Sequence, residues 1–105
     1  MFIAPHVPTG LRPNWQSYQI RLREDSGWSR NAVMDRLFKM EIPTRRGVMA
    51  SHLEPPYRQY SATLPRTESA AASTLQLPMH PQLTPDQEDR VLAALDLLAT
   101  ETASR

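Results

Sequence analysis

Residues 43–57 read Pro43-Thr44-Arg45-Arg46-Gly47-Val48-Met49-Ala50-Ser51-His52-Leu53-Glu54-Pro55-Pro56-Tyr57, the richest chemical constellation in the chain. Two guanidinium groups, an imidazole, a carboxylate and a phenol lie along what reads as irregular backbone. Guanidinium forks match the paired oxygens of carboxylates and phosphates, and His52 can donate a hydrogen bond or shuttle a proton. Gly47 would let backbone approach a ligand closely. Arg45, Arg46, His52 and Tyr57 are therefore the candidate site residues. A plainer reading makes the arginines a solvated edge, His52 a hydrogen-bonded loop residue and Tyr57 a packing group.

The rest of the chain offers less. Trp15 and Trp28 fit either stacking platforms or core and interface anchors. Ser17 has no base at a recognisable spacing, so nucleophilic catalysis has no support. No Gly-rich phosphate loop, H-E-x-x-H or G-x-S-x-G motif occurs. His6, His52 and His80 are too dispersed for metal-ligand spacing, and no metal is expected. Cysteine is absent, which excludes disulfides, thiolate ligands and a cysteine nucleophile. Eleven arginines stand against one lysine, Lys39, so a lysine-dependent mechanism must use that residue or borrow one.

These groups need positioning elements, and 105 residues allow one small domain. Hydrophobic residues at 40% and charged residues at 22% are ordinary globular usage, which argues against wholesale disorder. A net charge of +1 is too balanced for a nucleic-acid binder's broad footprint. No apolar run reaches membrane-spanning length, and the N-terminus lacks a signal-peptide pattern. The expected location is cytoplasmic.

Residues 1–13 carry Pro5, Pro8, Gly10 and Pro13 and read as an extended lead-in, with Phe2 and Ile3 lacking a local partner. Over residues 15–23, Tyr18, Ile20 and Leu22 alternate with polar neighbours, the pattern of a strand covered on one side. A polar turn over 24–27 follows. Ser29 can cap a helix through residue 40 whose Val33, Met34, Leu37 and Phe38 fall at helical spacing, ended by Ile42-Pro43. Residues 44–49 give a short extended candidate, and 51–60 an irregular loop. Residues 65–73 predict a short helix opening on proline. Residues 74–79 predict a strand, with Leu75 and Leu77 facing one way and Pro78 restricting it to a terminus or an edge. Thr84, Pro85 and Gln87 form a capping box for a last helix to about residue 100. Its expected apolar stripe is Val91, Leu92, Leu95, Leu98 and Ala99. The fold class is α+β: a small, mostly antiparallel sheet with helices packed on one face.

Taken in order, several blocks resemble the C-terminal end of the DegT/DnrJ/StrS-like nucleotide-sugar aminotransferases, fold-type I enzymes that use pyridoxal 5′-phosphate. The carrying residues are Asn14-Trp15-Gln16-Ser17-Tyr18 with Ile20 and Leu22, then Ile42 to Met49, then His52-Leu53-Glu54-Pro55. Leu64-Pro65-Arg66-Thr67-Glu68, Leu77-Pro78-Met79, Leu83-Thr84 and Val91 follow in family order. The resemblance spans roughly residues 5–100 and divides the chain into the lead-in, 1–13, and a small domain, 14–105.

The resemblance implies transfer of an amino group, commonly from glutamate, to a keto-sugar nucleotide by a homodimer with the cofactor near the subunit interface. It also implies a Schiff-base lysine and most phosphate-binding residues in a large N-terminal domain that nothing in this chain matches. This chain then supplies a substrate-facing wall, and on its own is expected to be inactive. Arg45 or Arg46 would meet a donor carboxylate or nucleotide phosphate, His52 the surroundings of sugar or cofactor, and Tyr57 would stand behind them. A related sugar dehydratase, or a non-catalytic α+β interaction module, are the alternatives. If the large domain belongs with it, the lead-in, Trp15, Trp28 and the loop near Pro55 and Pro56 should contact that domain or a second subunit.

Overall fold

The computed structural model describes residues 1–60 and 62–101; residue 61 and the end of the expected 14–105 region, residues 102–105, lie outside them. Among the described residues four strands form one antiparallel sheet: β1 (Phe2–Ile3), β2 (Tyr18–Leu22), β3 (Arg45–Arg46) and β4 (Thr74–Leu77), in the order β1-β2-β4-β3. Among the described residues three α-helices accompany it: α1 (Arg30–Lys39), α2 (Pro65–Ser73) and α3 (Pro85–Thr100).

Register sorts the side chains by face. Ile20 lies opposite Leu75 and Tyr18 opposite Leu77, so the apolar members of β2 and β4 share one face. Gln19 lies opposite Gln76 and Arg21 opposite Thr74, which makes the other face polar. The core joins Ile20, Leu22 and Leu75 to Val33 and Leu37 of α1 and to Val91, Ala94, Leu95 and Leu98 of α3. Helix α2 buries no residue fully; its Ser69 hydroxyl instead accepts a 2.8 Å hydrogen bond from Arg21, a member of the polar face.

Several local expectations change on folding. Phe2 and Ile3 do have a partner, since β1 pairs with Leu22 and Arg21. Strand β4 is interior, between β2 and β3; Pro78 lies just past its end, where the missing N–H costs no ladder bond. Phe38 is 75% exposed and Leu92 57%, while Ala94 is buried in place of Leu92 and Ala99. A helix meets the core along a stripe set by its crossing geometry, so apolar spacing alone cannot choose between adjacent positions. Trp28 is a core residue rather than an interface anchor, whereas Trp15 stays 41% exposed and tilts against Tyr18 at 5.3 Å. The 51–60 loop is two 3₁₀ turns, Ser51–Leu53 and Pro55–Tyr60.

Caps hold the helix ends. Ser29 accepts from the Ala32 amide, and Thr84 with Gln87 forms the reciprocal capping box. Helix α1 ends in a Schellman turn: Ile42 N–H donates to the Leu37 carbonyl and Glu41 N–H to that of Phe38, both at 2.9 Å. Ile42 and Leu37 are both buried beneath it. Glu41 takes the left-handed position at φ 63°, a place that suits glycine. Its exposed pairing with Arg90 at 3.1 Å contributes little. Glu41→Gly is therefore expected to raise stability by about 0.5–1 kcal/mol, the relief of left-handed strain less glycine's extra unfolded-state freedom. The check is a rise in the urea midpoint at unchanged slope.

Candidate functional site

Strand β3 is only two residues long, yet it decides where the adjacent arginines point. Arg45 lies opposite Gln76 and Arg46 opposite Leu75, so their side chains leave opposite faces of the sheet. The structure thus separates two groups that adjacency in sequence suggested could act on one ligand. Arg45 lines a cleft of about 420 Å³ with Ser17, Gln76 and His80. Arg46 lines another, about 310 Å³, with Arg30, Arg58, Glu54 and Glu68 and an apolar wall that includes Met49 and Ala72.

The second cleft is assembled from four parts of the chain. Arg30 opens α1, and its Nη1 donates to the Ala71 carbonyl at 2.8 Å and to the Thr74 carbonyl at 3.4 Å. It thereby satisfies carbonyls left over at the end of α2, at the negative end of that helix. Burial first, and the charge of Arg46 second, lower the Arg30 pKa from its ordinary value. Arg58 stands on the second 3₁₀ turn and donates from Nε to the Leu53 carbonyl at 2.9 Å. The buried Ala50 precedes the first turn.

His52 does not line this cleft. Its Nε2 lies 3.0 Å from Glu68 Oε1, with the imidazole side chain only 9% exposed. A carboxylate can only accept, so Nε2 carries the proton in this bond. His52 therefore ties the 3₁₀ turn to α2 and fixes Glu68, which does line the cleft. Tyr57 is 54% exposed and lines neither cleft.

Gly47 has a structural duty distinct from approach to a ligand. It donates to the Thr74 carbonyl at 3.1 Å, and Val48 N–H donates to Thr74 Oγ1 at 3.2 Å. A Cβ on Gly47 would overlap Thr74 Oγ1 and lie 2.6 Å from Thr74 Cβ. This close approach docks β3 on β4 and so places both arginines.

Sequence reading missed Arg30, Arg58 and the positioning role of Glu68. One signal for Arg30 was available: a cation at the first position of a helix opposes the dipole, and no acid occupies that first turn. Such a residue calls for a tertiary partner, here the end of α2. No local pattern marks Arg58, whose place depends on how the 3₁₀ turns pack.

The sequence profile of the DegT/DnrJ/EryC1/StrS aminotransferase family matches residues 2–96. GDP-perosamine synthase of Caulobacter vibrioides is 36% identical over 94 residues, 88% of this chain and 25% of that protein. A solved DegT/DnrJ/EryC1/StrS aminotransferase from Brucella abortus shares 28% identity over 95% of this chain and 26% of its own, with a TM-score of 0.77. DesV of S. venezuelae, solved in complex with a ketimine intermediate, shares 27% identity at a TM-score of 0.82, over 95% of this chain and 27% of its own. The chain thus spans about a quarter of the length of these relatives.

Proposed function

Because the chain belongs to the DegT/DnrJ/EryC1/StrS aminotransferase family, we propose that it acts as the small domain of a pyridoxal-phosphate-dependent sugar aminotransferase. The reaction proposed is transfer of an amino group, with glutamate as donor, to a keto-sugar nucleotide. The observation that carries the reading is a match to the aminotransferase family along nearly the whole chain that occupies only about a quarter of the Caulobacter GDP-perosamine synthase and of DesV. The remaining architecture, with the cofactor and its lysine, then belongs to a large domain outside these 105 residues, in a homodimeric cytoplasmic enzyme.

The chain's own residues do not build the cofactor site. Lys39, the single lysine, is exposed in the last turn of α1 and lines neither arginine cleft. What the chain supplies is a substrate-facing wall. Arg46 presents a guanidinium to the smaller cleft, Arg45 presents one to the larger, and His52 holds Glu68 in position. Tyr57, with its exposed phenol, is available to a group from the large domain or a second subunit.

Supplied alone with pyridoxal phosphate, glutamate and a keto-sugar nucleotide, the 105-residue chain is expected to form no amino sugar. Lys39→Ala should change nothing. Turnover that Lys39→Ala abolishes would overturn this expectation. The positive test replaces the matching quarter of the Caulobacter synthase with this chain. The chimaera should retain glutamate-dependent amination above background. A folded, cofactor-loaded chimaera at background rate counts against the proposal.

A further inference from the structure

We infer that two copies of the chain exchange their N-terminal strands, each laying Phe2–Ile3 along the β2 edge of the other. This assembly is independent of the reaction proposed above. In the order β1-β2-β4-β3, the outer edge of β2 is covered by β1 alone. The cover is short but matched. Phe2 lies opposite Leu22 and Ile3 opposite Arg21, and Arg23 N–H donates to the Met1 carbonyl at 2.9 Å. Met1 and Phe2 also pack on the core. Without β1, backbone groups of β2 lose their partners and the buried Leu22 meets water, so this edge requires a strand. A second copy supplies the same residues in the same register, with no new complementary surface needed.

The connection decides which copy supplies the strand. Residues 4–17 join β1 to β2, and none of these fourteen residues is buried. Among the described residues they share one backbone hydrogen bond, from Leu11 N–H to the Pro8 carbonyl at 3.2 Å. Beyond the ring contact of Trp15 with Tyr18, little ties this arm to the domain.

Returning β1 to its own β2 places Trp15 at φ 48°, a left-handed position that is an outlier for so bulky a side chain. Pro5, Pro8 and Pro13 stiffen the arm and favour extended backbone. Drawn out at ~3.1 Å per residue, the arm reaches about 43 Å, close to the 46 Å long dimension of the chain. It is therefore long enough to cross to a neighbour, and crossing lets Trp15 return to negative φ. An exchanged dimer relieves two such positions while keeping every β1–β2 contact. A flexible linker would hold β1 at a local concentration on the order of millimolar, and strain and stiffness lower that value. Exchange is therefore expected below about 1 mM chain.

The absence of cysteine permits a direct test. Ile3→Cys and Arg21→Cys are made in separate chains, mixed, incubated at about 1 mM and mildly oxidised. Antiparallel partners stand about 4.5–5.5 Å apart at Cα, within disulfide range, so exchange links the two chains through these positions. Ile3→Cys mixed with Lys39→Cys, an exposed position on α1 that pairs with no strand, should link far less. Sedimentation equilibrium then gives the dimerisation constant of the parent and two variants. Trp15→Gly, which accepts left-handed backbone in both arms, should weaken dimerisation at least about fivefold. Trp15→Ala removes the indole but keeps the strain, and should change it less than about twofold. Circular dichroism confirms that each variant is folded.

A monomer at about 1 mM overturns the exchange, as does equal dimerisation of Trp15→Gly and Trp15→Ala. A dimer whose chains never link position 3 to position 21 is an ordinary surface contact, and it overturns the exchange as well. Should Arg21→Cys fail to fold, the comparison of glycine with alanine at Trp15 decides alone.

Discussion

Gly47→Ala is expected to cost about 3 kcal/mol, at the upper end of the usual penalty for adding atoms to a packed site. The new methyl group would meet Thr74 at Oγ1, 2.6 Å from its Cβ and 2.9 Å from Gln19 Cδ. Neither strand can step aside cheaply. Gly47 N–H is bonded to the Thr74 carbonyl, Val48 N–H to Thr74 Oγ1, and that hydroxyl donates to the Ala70 carbonyl at 2.7 Å. Separating the strands would therefore break β3 from β4 and loosen the last turn of α2 in the same movement.

Gly10→Ala is the matched control. Gly10 has φ 82° and no atom within 4 Å of its would-be Cβ, so it carries only the conformational penalty of roughly 1 kcal/mol. Urea unfolding of both variants separates steric from backbone cost, because the Gly47 cost is steric. Equal losses, or no loss at Gly47, would show that β3 does not need the close approach.

Leu75→Ala should have the largest effect on stability, about 4 kcal/mol, typical of a leucine whose removal leaves a cavity that neighbours cannot fill. Leu75 has no exposed surface and is central in every direction. It faces Ile20 on β2, lies opposite Arg46 on β3, and belongs to the core shared with α1 and α3. A chain of this length has roughly 5–15 kcal/mol of stability in all. The variant therefore loses a large part of that margin, and its thermal transition is expected to fall far more than that of Leu92→Ala. Leu92 is 57% exposed, although both leucines belong to regular apolar patterns in sequence. Similar transitions for the two variants would contradict the assignment of the core.

Much of the fold is legible in local sequence. The span of α2, the box at Thr84 and Gln87, the cap at Ser29 and the inward set of β2 each follow from residues within one or two turns. Such features depend on backbone donors, fixed proline φ values and side-chain alternation, all short-range effects. The family was legible for a different reason: individually weak blocks occur in one order along the chain.

The candidate site was legible only as composition. Sequence named Arg45, Arg46, His52 and Tyr57 as one constellation; folding divides them between two clefts, a latch to Glu68 and an exposed turn. Arg30 and Arg58 join Arg46 from segments 16 and 12 residues away along the sequence.

By itself, the sequence determined the helix caps, the strand faces, the lack of thiol chemistry and the presence of one lysine on an amphipathic helix. Tertiary structure alone decided which arginines share a cleft, which acid is tied to His52, and which apolar residues become core. The difference lies in the range of the forces involved. Capping and alternation are settled over a few residues, but a guanidinium's neighbours depend on strand register and on helices brought together by burial. Exchange of one position in β3 turns an arginine to the other face of the sheet.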